Sequence, residues 1–257
     1  MSFNGYVISL VDEYQRRKSI SEQLVEKKAF FSFIDAVDLR NSKIEDLSSL
    51  INDVKSGSLN RPLTKGEIGC ALSHFKCYQK LLASNDDWAW ILEDDANLER
   101  LQPDSIDKII SLVSGSDIDI VILGYSKLSK CNESKFYKFE PLKKVIQVDG
   151  LLLGRPWRNW TCGTVSYLIS RAGAKKILDY FNDDRVITVA DDWSFFEEKI
   201  GVNILHCRPL LVFEDFIRFQ SSLEADRAVV SKRKIDFLDV ARVLRGYLRR
   251  LLMGLEL

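Results

Sequence analysis

The apolar run Trp88-Ala-Trp-Ile-Leu92 ends in three consecutive carboxylates, Glu93, Asp94 and Asp95. The run can be buried, but the three acids cannot be buried uncompensated, and side by side they repel one another. A bound divalent cation relieves that repulsion. Mg²⁺ and Mn²⁺ prefer oxygen ligands, and few protein carboxylates are needed where substrate phosphates supply the rest. The competing reading is a solvated acidic turn after a core strand.

Strands and helices that could position these acids alternate along the chain. Tyr6–Leu10 fits a first buried strand, residues 12–28 an amphipathic helix, and the aromatic and β-branched residues 30–37 a second strand. Residues 41–60 turn polar and read as a loop or short helix. Thr64 with Glu67 three residues on is a capping box, predicting a helix to about Leu82. Further helices are expected over 103–113, 171–181 and 192–200, and further strands over 118–124, 164–170 and 202–205. Weak strands are expected near 136–139 and 145–148, the second followed by a loop rich in Gly, Pro and Trp. Alternation of this kind predicts an α/β fold, and ligands in such sheets gather at the carboxyl ends of strands, where Glu93–Asp95 fall.

Composition narrows the partners. The chain has 257 residues, 46% hydrophobic and 29% charged, the balance of an ordinary globular protein. Lys plus Arg equal Asp plus Glu at 37 each, so no basic field argues for nucleic acid. The five cysteines are scattered without CxxC spacing, which predicts neither a structural zinc site nor a disulfide framework and fits a reducing cytoplasm. The first ten residues lack a basic n-region and a long apolar core, so no signal peptide is expected, and no apolar run is long enough to span a membrane.

Three blocks carry a family resemblance: Gly66-Glu-Ile-Gly-Cys-Ala-Leu-Ser-His74, Ile91-Leu-Glu-Asp-Asp-Ala96 and Gly163-Thr-Val-Ser-Tyr-Leu-Ile-Ser-Arg-Ala-Gly-Ala174. With Tyr6–Leu10 and Phe33–Asp38 they resemble, in order over residues 3–215, glycosyltransferase family 25. This family includes lipooligosaccharide galactosyl- and glucosyltransferases and is related to collagen galactosyltransferases. The resemblance implies a GT-A-like nucleotide-binding sandwich over residues 1–225, with a mostly parallel central sheet and a helical C-terminal extension over 226–257. It implies an inverting transfer of galactose, or glucose, from a UDP-sugar to a lipooligosaccharide terminus, of β-1,4-galactosyltransferase type, with Mn²⁺ or Mg²⁺ as cofactor.

The resemblance also suggests roles for particular residues. Asp95 would be the direct metal ligand, Glu93 would contact the ribose or a metal-bound water, and Asp94 would assist. His206 would be a late-chain metal ligand. Asp191, with Asp192 as the alternative, would be the general base or acceptor ligand; Val189 stands where the family usually has proline, and either Asp could instead cap the helix near Trp193. Donor contacts fall to Asp38, Ser73, His74 and Arg16. Ser73 and His74 could equally pack, and Arg16 and Arg17 could equally lie on a solvated helix face. Gly163 and Thr164 would admit a sugar closely, and Trp157, Trp160 and Trp193 offer stacking surfaces or ordinary packing.

From Arg227 to Leu257 eight basic residues stand against three acidic ones, and apolar residues recur at helical spacing. Such a helix lies on an anionic membrane, here the cytoplasmic face of the inner membrane, or packs on the domain or a second subunit; oligomeric state, a dimer included, stays open. Two other classes compete. A metal-dependent phosphohydrolase or nuclease usually needs more acidic or His ligands than a chain with two histidines offers. A non-catalytic sugar-binding relative could retain the same acids.

Overall fold

The computed structural model describes residues 2–43, 47–51, 61–181, 185–215, 218–219 and 238–254. Its centre is an eight-stranded sheet in the order β2-β1-β3-β9-β5-β10-β8-β7. The strands are β1 Phe3–Ser9, β2 Phe31–Asp35, β3 Trp88–Glu93, β5 Ile120–Ile122, β7 Leu142–Val148, β8 Leu151–Pro156, β9 Ser166–Ser170 and β10 Ile204–Arg208. Six of the eight point one way, and β8 and β9 run against them. A smaller sheet, β4-β11-β6, joins Ala96–Asn97, Val212–Glu214 and Gly124–Tyr125. The mixed α/β fold with a mostly parallel sheet is therefore present.

The central strands read as unbroken apolar runs because both faces of the sheet are covered. Along β3, Ala89 and Ile91 enter one core, while Trp88, Trp90 and Leu92 enter the other. The first core is closed by helices α2 (Lys65–Ala83) and α5 (Arg171–Tyr180), through Ile68, Phe75, Tyr78, Leu81, Ala174 and Ile177. The second is closed by α1 (Tyr14–Glu26) and α3 (Ser105–Val113), through Ile20, Leu24, Ile106, Ile109 and Val113.

Helix α2 starts where its capping box predicts: Thr64 Oγ1 accepts the Glu67 N–H at 3.2 Å, and Glu67 Oε2 accepts the Thr64 N–H at 2.9 Å. The run 118–124 splits at Leu123, giving β5 to the large sheet and β6 to the small one. Residues 136–139, expected as a strand, belong instead to helix α4 (Glu133–Phe139), where Phe136 packs edge-on against Tyr125. The segment after Val148, expected as a loop, forms β8: Asp149 and Gly150, at φ of 47° and 81°, make a two-residue hairpin turn. The short helix α6 (Trp193–Phe195) runs on as a wider turn to Ile200.

The C-terminal helix α7 (Leu238–Leu252) docks on α4. Glu140 binds Arg245 at 2.7 Å and also pairs with Arg249, and Gly246 brings the helix backbone against Lys138 and Phe139. Leu244, Tyr247, Leu248, Leu251 and Leu252 face solvent. Residues 226–237 and 255–257 of the basic segment lie outside the described residues. Among the described residues no helix is long and apolar enough to cross a membrane.

Gly69 gives α2 its close approach to the segment after β2, since a Cβ there would lie 2.5 Å from the Val37 carbonyl oxygen. In an open helix Gly→Ala gains about 1 kcal/mol. Here Gly69→Ala should instead lose about 1–3 kcal/mol by overpacking. Urea unfolding measures the difference; a variant as stable as the parent would rule out the close approach.

Candidate active site

Glu93 ends β3, and Asp94–Asp95 form the tight turn into β4. Pairing of β4 with β11 sets Glu214 opposite Ala96, and the Asp215 N–H donates to the Asp95 carbonyl at 2.8 Å. Four carboxylates therefore converge. Glu214 was not among the residues expected from sequence, yet Leu210-Leu-Val-Phe-Glu-Asp215 repeats the pattern of an apolar run ending in acids.

The cluster is only partly compensated. Asp94 accepts Ser9 Oγ at 2.6 Å and Arg16 Nη1 at 3.0 Å, and the same Nη1 lies 3.3 Å from Asp95 Oδ2. Arg16 is thus a partly buried counter-charge and not part of a solvated helix face. Its neighbour Arg17 holds the Ser9 and Leu10 carbonyls and Asp35. Glu93 accepts from Thr164 Oγ1, and its Oε1 lies 3.9 Å from His74 Nε2. Burial pushes the Glu93 carboxyl up, but His74, Thr164 and Arg16 outweigh it and hold it below the usual range. Burial lifts Asp94, with Ser9 and Arg16 opposing. Asp95 is raised furthest, by burial first and then by Glu93, Glu214 and Asp94. Its Oδ1 is buried with no hydrogen-bond partner among the described residues.

Two cavities meet at this cluster. The larger, about 560 Å³, is lined by the ends of β1 and β2, by Arg16, Asp38 and Arg40, and by Gly66, Ser73 and His74 of α2. The smaller, about 360 Å³, is lined by Arg61, Lys127, Gly163, Thr164, Asp191 and Glu214. Cys70, Glu93 and Asp95 border both. Each volume falls in the range of small-molecule sites, roughly 300–1,000 Å³.

Around the larger cavity, Ser73 is a tie between elements, donating to the Gly69 carbonyl at 2.6 Å and accepting the Val37 N–H at 2.8 Å. Asp38 is exposed and paired with Arg40 at 2.7 Å. His74 is buried, with Nδ1 bonded to the Tyr167 hydroxyl at 2.7 Å. Around the smaller cavity, Gly163 sits at φ +85°, where a Cβ would collide with Ser126, and its N–H donates to Asp191 Oδ2 at 2.8 Å.

Asp191 and Asp192 are separated by environment. Asp191 faces the smaller cavity. Asp192 is wholly buried, accepts Thr188 Oγ1 at 2.5 Å and caps α6 through the Phe195 N–H at 3.3 Å. Four other expected residues are not brought to the cluster. His206 is buried between the Tyr125 hydroxyl at 2.8 Å and Asn159 Oδ1 at 2.7 Å, so both ring nitrogens are engaged. Burial pushes its pKa down to about 3. Trp160 stacks on His206 with ring centroids 5.0 Å apart. Trp193 is fully buried against Tyr167 and Phe196, its indole N–H given to the Gly163 carbonyl at 3.2 Å, and presents no stacking face. Trp157 is exposed but lines neither cavity.

Asp95, its Oδ1 unpartnered among the described residues and its carboxyl raised by burial and then by Glu93, Glu214 and Asp94, offers oxygen ligation to a hard divalent cation.

Comparison with known proteins identifies the class. The family described as glycosyltransferase family 25 (LPS biosynthesis protein) matches residues 3–194, and this chain belongs to it. A Haemophilus influenzae protein named provisionally as a glycosyltransferase is 29% identical over 246 residues, 92% of this chain and 81% of that protein. The lipooligosaccharide biosynthesis protein lic2B of Haemophilus influenzae is 30% identical over 183 residues, 67% of this chain and 61% of its own length. Procollagen galactosyltransferase 1-B of Xenopus laevis is 31% identical over 189 residues, 70% of this chain but 28% of its own length.

The two aspartates should separate in a stability assay. Asp192→Ala removes a cap and a buried acceptor and should cost about 1–3 kcal/mol. Asp191→Asn keeps an acceptor for the Gly163 N–H and should stay within about 1 kcal/mol of the parent. Equal losses in chemical denaturation would contradict this division.

Proposed function

We propose that the protein is an inverting glycosyltransferase that moves galactose, or glucose, from a UDP-sugar to a terminal sugar of lipooligosaccharide, with Mn²⁺ or Mg²⁺ as cofactor. The observation that carries this reading is the convergence of Glu93, Asp94, Asp95 and Glu214 where two cavities meet. The names of the lipooligosaccharide and procollagen relatives support the acceptor class and the galactosyl donor.

In this reading the larger cavity receives the nucleotide and the smaller one the reacting sugars. Asp95, with Glu214 beside it, holds the cation, and Arg16 fixes Asp94 and Asp95 in place. Such a cation, when bound, neutralises charge on the departing diphosphate. Glu93 is oriented by Thr164 at the boundary of the two cavities. Asp191, oriented by the Gly163 N–H, takes the proton of the acceptor hydroxyl as general base. Asp192, being buried in its cap, has no access to that proton.

Asp95→Asn should abolish metal-dependent UDP-sugar binding, read by calorimetry, and transfer with it. Asp191→Asn should keep donor binding and lower acceptor-stimulated UDP release by about 10²–10⁴-fold. Near-normal transfer by either variant would overturn its assigned role. Sugar-independent release of phosphate would favour a phosphohydrolase, and donor binding without turnover a sugar-binding relative.

The same reading seats α7 on an anionic membrane surface that presents a glycolipid acceptor, supported by its outward row Leu244, Tyr247, Leu248, Leu251 and Leu252 beside basic residues. Leu248→Glu with Leu251→Glu should abolish co-sedimentation with anionic phospholipid vesicles while leaving the fold unchanged by circular dichroism. Undiminished binding by the double variant would exclude α7 as the contact.

A further inference from the structure

Cys70 and His74 lie four residues apart on α2 and so share one face of the helix. Glu93 meets them from the end of β3. One ligand atom from each of the three lies within 4.8 Å of the other two. His74 Nε2 and Glu93 Oε1 are 3.9 Å apart. Ligands of a tetrahedral zinc ion sit roughly 3.3–3.8 Å from each other, given metal–ligand bonds of about 2.0–2.3 Å. Small side-chain adjustments therefore suffice to close the set on an ion.

The second observation is the state of His74. The ring is buried, and its Nε2 has no hydrogen-bond partner among the described residues. Its Nδ1 is committed to the Tyr167 hydroxyl at 2.7 Å, which meets the Tyr78 hydroxyl at 2.8 Å. A ligating histidine is typically held in this way, with the far ring nitrogen tied to an oxygen and the near one aimed at the metal. All three residues line the larger cavity, which leaves a fourth coordination position open.

We infer that Cys70, His74 and Glu93 form a binding site for a thiophilic divalent cation of the zinc class. The site borders the acidic cluster through Glu93 and differs from it in chemistry by the soft ligands Cys70 and His74. Soft thiolate and imidazole ligands select zinc or cobalt over magnesium and manganese. On ligation Cys70 gives its proton to solvent, and the thiolate–metal bond forms without change of oxidation state. The bound ion ties the first half of α2 to the end of β3 and offsets part of the negative charge beside Asp95. The inference does not rest on the transferase reading.

Cobalt is a direct probe, because a Cys–Co²⁺ bond gives a charge-transfer band in the near ultraviolet. Titration of the full, chelator-stripped chain should show this band saturating at one equivalent, persisting in excess Mg²⁺ and disappearing with Zn²⁺. Cys70→Ser should abolish the band, His74→Gln should weaken cobalt binding at least tenfold, and Cys131→Ser, which removes the exposed thiol, should leave it unchanged. Asp95→Asn should also retain it. No band in the parent chain, or a band that survives Cys70→Ser, overturns the site, and the parent measurement decides even if a buried-residue variant fails to fold. Mg²⁺-dependent UDP-sugar binding, measured on the same preparation, reports separately on the transferase reading: intact binding without a cobalt band removes the zinc-class site alone.

Discussion

The fold has to hold four carboxylates together at the carboxyl ends of its strands, and much of the surrounding structure answers that demand. Isolated ionised acids are costly in a poorly solvated site, and each added negative charge makes the next ionisation harder. Arg16 on α1, Ser9 at the end of β1 and Thr164 ahead of β9 each spend their polar groups on this cluster. These contacts come from three separate segments, so the cluster also fixes α1 and the approach to β9 relative to β3. The compensation stops short of Asp95 Oδ1, which has no hydrogen-bond partner among the described residues.

Much of this was legible in the chain. The run Trp88–Asp95, the capping box at Thr64 and the apolar strands declared themselves because their signals are local: two-sided burial, a fixed three-residue offset, and acids following a strand. What was illegible depends on pairing between distant segments. Glu214 enters the site only because β11 pairs with β4, a register that sequence periodicity does not encode. His206 lies just after an expected strand, yet its ring turns toward Tyr125 and Asn159. Helix α4 was masked by its aromatic residues, which suit a strand in isolation but here fill the space between Tyr125 and Trp160.

The pair Asp191–Asp192 shows how adjacent residues of one type diverge. A turn ahead of a helix places successive side chains in different surroundings. Asp192 meets Thr188 and the free N–H groups of α6, while Asp191 is left facing the smaller cavity with the Gly163 N–H on one oxygen. Residue type alone could not tell them apart.

Helix α2 is a common wall. Glu67 and Cys70 border the smaller cavity, while Gly66, Gly69, Cys70, Ser73 and His74 border the larger one. Gly69 and Ser73 bind it to the chain leaving β2, and Arg61 clamps its first turn through Glu67 at 2.6 Å. A rigid displacement of this one helix enlarges or narrows both chambers in the same movement. The two chambers therefore share a wall, and an occupant that shifted it from one side would alter the space on the other.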